Sequence, residues 1–145
     1  MSGMEIADVK RRVQETIDRA RRAAAERRAR SDEATKEYGG FLDGIAVPIF
    51  RQVANVLRAE GYVFSVFTPG GSVRLMLSDR AAEDYIELTL DTSGERPVVL
   101  GRTRRQRGSR IIESERPLDA GSIRQLTEED VLGFLLKELE PFVEK

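Results

Sequence analysis

Histidine and cysteine are both missing from this 145-residue chain. Without imidazole or thiol there is no Ser-His-Asp or Cys-His nucleophile arrangement, no disulfide, and no zinc site built on the usual sulfur and nitrogen ligands. Most enzyme readings fall with them, and the chain reads as non-catalytic. An excess of one charge is missing too: 24 basic residues stand against 25 acidic ones, a formal net charge of -1. A uniformly basic nucleic-acid binder is thereby excluded, and any electrostatic function is local. No apolar run is long enough to span a bilayer, and Met1 to Arg12 lacks the apolar core of a secretory signal. The expected compartment is the cytoplasm, with which the lack of cysteine agrees, and no membrane, metal or cofactor is expected.

What is present suffices for a core. Hydrophobic residues make up 40% of the chain, and a chain of this size buries roughly two-thirds of the surface its unfolded form exposes. From about Glu5 to Tyr38 neither Pro nor Gly intervenes, and Ile6, Val9, Val13, Ile17, Ala20 and Ala24 recur at three- and four-residue steps. That spacing predicts a long helix with a thin apolar stripe. Acids four residues ahead of bases, in Asp8/Arg12, Glu15/Arg19, Asp18/Arg22 and Glu26/Arg30, support it from the solvent side. Past Ala24 the stripe gives way to Arg27, Arg28 and Arg30, which offer little to bury. Gly39 and Gly40 are expected to end this helix, and Asp43 to Pro48 to open a second. The second would bury Ile49, Phe50, Val53, Val56 and Leu57 and stop at a left-handed Gly61. The expected organisation is a helical arm over 1–39 and a single α+β domain over 40–145.

Between Tyr62 and Glu115 the apolar period changes to two, with turn signals at Pro69-Gly70, Asp79 to Ala82, Ser93-Gly94 and Gly108. The expected fold is α+β: a five-stranded antiparallel meander packed on helices, in the order α-α-β-β-β-β-β-α. A hairpin centred on Pro69-Gly70 pairs Val66 with Val73, Phe64 with Leu75 and Tyr62 with Leu77. A loop over Asp79 to Asp84 then sets Leu77, Leu75 and Val73 against Ile86, Leu88 and Leu90. Val98 and Leu100 are expected to join that buried face, while Ile111-Ile112 leaves the inward residue of the fifth strand open. Thr127 caps a last helix with Leu132, Leu135, Leu136, Leu139 and Val143 on its apolar side, kinked or ended by Pro141.

Two surfaces stand out as candidate sites. The reverse of the sheet should be polar, yet the expected register places Val63, opposite Met76, together with Phe67 and Tyr85 there, a patch that the first helix or a second copy would cover. With the Ile6, Val9, Val13, Ile17 stripe, this points to a homodimeric protein-interaction module, an adaptor or small chaperone-like protein with an unidentified protein partner. The alternative is binding of an anion or a nucleic-acid backbone by Arg102, Arg104, Arg105, Arg107 and Arg110, which crowd one hairpin tip without an interleaved aromatic. Against it, 20 of the 24 basic residues are arginine throughout, and turns favour charge. A third possibility is that this hairpin or the helical arm docks on the acidic start of the last helix, Glu128 to Asp130, of a neighbouring subunit.

Other clusters read as structural. Arg19, Arg21, Arg22, Arg27, Arg28 and Arg30 interleave with Glu15, Asp18 and Glu26, as on a salt-bridged solvated helix. Pro69-Gly70-Gly71 joins strand to strand and lacks the helix and Lys-Ser/Thr of a phosphate loop. Glu113 and Glu115 share one side of a strand about 7 Å apart, but nothing nearby suggests a glycosidase-like carboxylate pair. Asp79, Glu83 and Asp84 lack calcium-loop spacing.

Overall fold

The computed structural model describes residues 3–77, 83–118 and 121–144. Helix α1 spans Ile6–Phe41, a π-helical turn Leu42–Ala46 follows, and α2 spans Val47–Ala59. The strands are β1 Phe64–Phe67, β2 Val73–Leu77, β3 Tyr85–Asp91, β4 Val98–Arg107 and β5 Arg110–Pro117, before α3 at Glu128–Val143. All five form one sheet in sequence order with antiparallel neighbours, the meander that the period-two rhythm predicts. The chain divides into two compact units, one up to Glu33 and one from Ala34 onward.

In the second unit, Phe64, Leu75, Ile86, Leu88 and Val73 are sealed from solvent on one face of the sheet. Phe50 and Ala54 of α2, Val131, Leu135 and Leu139 of α3, and Ala34, Tyr38 and Phe41 from the end of α1 complete that core. A buried tyrosine needs a partner for its hydroxyl. Tyr38 donates to the Gly71 carbonyl at 2.7 Å and lies 3.4 Å from that of Leu88. Burial, aided by the negative charge of Glu87, pushes its phenol above the ordinary tyrosine range, so it stays a donor.

Several expectations need correction. Gly39 and Gly40 do not end α1; neither takes a left-handed backbone, and the helix runs on because Tyr38, Phe41 and Ala46 around them are buried. Pro48 does sit in the first turn of α2, and Gly61, at φ 94°, ends it as expected. The pairing of β1 with β2 is shifted by two residues, Phe64 facing Leu77 and Val66 facing Leu75. The turn is centred on Gly70-Gly71, with Ser72 N donating to Pro69 O and Gly71 at φ 76°. β2 and β3 shift by two as well, setting Leu75 against Ile86 and Val73 against Leu88. An even shift leaves every side chain on its expected face.

One expected face is wrong: Val99, opposite Leu90, joins the core side, whereas Val98 and Leu100 lie on the reverse side opposite Asp91 and Thr89. Both isoleucines of the edge strand β5 are exposed, Ile112 on the core side and Ile111 on the reverse. Val56 and Leu136 are exposed as well, whereas Ala54, Val131 and Glu138 of the same helices are buried. The capping box of Thr127 and Asp130 opens α3, which contains Pro141 and continues to Val143. Of the expected Asp79–Asp84 loop, residues 79–82 lie outside the described residues.

Candidate functional site

Gly101 decides how α3 meets the sheet. A Cβ there would lie 2.3 Å from the Phe134 ring, so only glycine lets that aromatic rest on the backbone of β4. Next to it, Arg116 of β5 forms an ion pair with Glu138 of α3, whose carboxylate is otherwise buried. A cleft of about 270 Å³ opens here, lined by Arg116, Pro117, Phe134, Lys137 and Glu138 among others. Tyr38, with its raised pKa, does not line it. Nothing in the sequence pattern pointed to this cleft except an isolated glycine between large strand residues.

The reverse face of the sheet is more polar than the expected apolar patch implied. Phe67, Arg74, Glu87, Arg102 and Glu115 are successive cross-strand partners over all five strands, so cation and anion alternate along one row. Arg74 clasps Glu87 Oε2 through Nε at 2.8 Å and a terminal nitrogen at 2.6 Å. Glu87 is only 4% exposed, and a carboxylate so deeply placed needs such a partner. Arg102 meets Glu115 at 3.2 Å. Asp91 carries a lowered pKa, held down first by the Ser93 hydroxyl and amide and to a lesser degree by Arg102.

Of the four patch residues, Phe67 and Val63 are about half exposed, while Met76 and Tyr85 are partly covered. Met76 faces Ser65 and Tyr85, whereas Val63 precedes β1 and is not its partner. The Arg74 guanidinium lies 4.1 Å from the Tyr85 ring centroid, a cation–π contact that occupies part of the patch. Ile6, Val9, Val13 and Ile17 share one helical face in the first unit and are 42% to 86% exposed.

The hairpin arginines separate into two sets. Arg102 is paired with Glu115, and Arg104 faces Glu113 and donates to Glu83 O at 2.7 Å. Both point to the reverse face. Arg105, Arg107 and Arg110 point to the opposite face, Arg107 directly across from Arg110, and none has an ion-pair partner among the described residues. Glu113 and Glu115 each face an arginine, which accounts for them as charge partners.

Among the described residues no cluster of three or more acidic groups could hold a metal ion, and no helix is long and apolar enough to cross a membrane. The fold and these surfaces thus define an α+β protein, an antiparallel meander backed by helices. No protein-family model matches the chain, no curated protein is significantly similar to it, and no solved structure matches it.

Proposed function

We propose that this chain is a non-catalytic, cytoplasmic protein-interaction module, an adaptor or small chaperone-like protein, that works as a homodimer through the apolar stripe of α1. The carrying observation is that Ile6, Val9, Val13 and Ile17 are exposed in a unit made of helix, with no buried hydrophobic residue of its own among the described ones. A lone helix of this composition gains most of its stability from packing an apolar face.

The spacing supports a second helix of the same kind as the cover. Ile6 and Ile17, Val9 and Ala20, and Val13 and Ala24 repeat at eleven residues, a period of about 3.67 residues per turn, which keeps one seam in line along a straight or slightly right-handed helix pair. A twofold pair brings identical stripes together, as isologous contacts require. Phe67 on the sheet and Val63 just before β1, each about half exposed, offer a smaller second surface for a protein partner.

Sedimentation equilibrium at high micromolar concentration tests the reading. The expected mass is twice the monomer's 16.3 kDa, falling to the monomer for Val9→Asp with Val13→Asp while the circular dichroism of the sheet persists. A monomer at that concentration overturns it.

A further inference from the structure

Beyond self-association, and independent of it, we infer that the tip of the β4–β5 hairpin grips the phosphate backbone of double-helical nucleic acid through Arg105, Arg107 and Arg110. Past the last β3–β4 pair, Tyr85 with Arg104, the hairpin continues for three more pairs: Arg105 with Ile112, Gln106 with Ile111, and Arg107 with Arg110. Those pairs make a two-stranded ribbon about 10 Å long, closed by a two-residue turn with Gly108 at φ 62°. On its β3 side the Asp84 carboxylate accepts from the backbone N–H of Gln106 at 2.9 Å, which stiffens the base of the ribbon.

Direct opposition of two like charges destabilises a strand pair. Elsewhere on this hairpin the structure avoids it: Arg102 has Glu115, Arg104 has Glu113 and Arg116 has Glu138. From Arg105 to Ile112 there is no acidic residue at all, and the face that Arg105, Arg107 and Arg110 share carries Ile112 as the fourth residue of the ribbon's pairs, with Arg107 and Arg110 exposed and Arg105 half-buried. Folding gains nothing from that arrangement, whereas a row of phosphates supplies the missing counter-charges in bidentate form.

A two-stranded ribbon also fits the roughly 12 Å major groove of a duplex. The absence of an aromatic from Arg105 to Ile112 argues against base stacking on single strands and against an aromatic anchor in a membrane interface. A formal net charge of -1 supplies no overall attraction to a polyanion, so binding has to come from a local cluster such as this tip.

Fluorescence anisotropy of a labelled duplex of about 20 base pairs, titrated with the full chain between roughly 20 and 200 mM salt, provides the test. Three neutralised phosphates give a log–log salt slope near -2.7, at about -0.9 each. Arg107→Thr with Arg110→Thr is expected to weaken binding at least tenfold at the lowest salt and bring the slope to about -1. Arg51→Ser, removing an exposed charge from α2, leaves both unchanged. No binding at the lowest salt, equal losses for Arg51→Ser, or binding to phosphatidylglycerol vesicles that duplex fails to compete away each overturn the inference. Because the readout is duplex affinity, a monomeric protein that still binds would sink the dimer reading and leave this one standing.

Discussion

The body and the tip of one hairpin handle arginine in opposite ways. In the body, Arg102, Arg104 and Arg116 each face a carboxylate across a strand or from α3, and the row continues inward to the buried Arg74–Glu87 pair. At the tip, Arg107 faces Arg110 and no acid is within the ribbon. Composition alone makes the five hairpin arginines look equivalent. Strand alternation divides them, sending Arg102 and Arg104 to a face rich in glutamate and the other three to a face where no described strand residue is acidic. Position on the pleat, more than density in sequence, therefore decides which charges are consumed by folding and which remain for a ligand.

The largest loss of stability is expected where the body of the hairpin is packed against α3. Gly101→Val would drive a side chain into the Phe134 ring and lift α3 from the sheet, costing about 3 kcal/mol, read from urea unfolding. Loss of less than half that would mean Phe134 swings aside freely and the glycine is incidental. Glu87→Ala leaves Arg74 partly buried without its bidentate partner, at a cost of about 2 kcal/mol. The same measurement on Glu115→Ala, an exposed partner, should show less than about 1 kcal/mol. Equal effects at the two positions would show that burial does not grade the row.

Legibility in the sequence follows the same division between local and distant causes. The alternation from Phe64 to Leu90 identified the buried face because side-chain direction depends only on parity, and both register errors were even. The turn centre was missed by one residue because Pro69 and Gly70 form a good local signal, while the left-handed position falls on Gly71, whose carbonyl is held by Tyr38. Nothing near Gly71 in sequence announces a tie to a residue 33 positions away. The continuation of α1 through Gly39 and Gly40 was hidden for a related reason: helix propensity opposes it by roughly 1 kcal/mol per glycine, and the compensating burial of Tyr38 and Phe41 is tertiary. Val98 and Leu100 misled because β4 is apolar at Val98, Val99 and Leu100 alike, which leaves its parity undefined. At the candidate sites, the arginines and the α1 stripe were visible as residue types, but their separation by face and the Glu87 pairing needed the register.

A smaller effect is expected where a neutral hydrogen bond holds the sheet. Tyr38→Phe removes the donor to Gly71 O and should cost about 1 kcal/mol near neutral pH. Since the folded-state phenol titrates above its unfolded value, this contribution is fully present below pH ~10 and is lost as pH rises beyond it. The stability gap between the parent protein and Tyr38→Phe should therefore narrow between about pH 9 and pH 11 in urea titrations. A gap that widens over that range would reverse the assigned direction.

The smallest effect, and the only one of opposite sign, belongs to the tip. Replacing Arg107 and Arg110 by threonine removes a like-charge pair and installs two β-branched residues that suit a cross-strand position. Thermal unfolding should show stability unchanged or raised by a few tenths of a kcal/mol, against a loss for every body substitution. A drop of about 1 kcal/mol or more would place these arginines among the structural ones and erase the contrast between the two ends of the hairpin. Unchanged stability joined to lost duplex affinity is the combination that a surface kept for a ligand requires, because a residue that only folds the protein cannot lose binding without also losing stability.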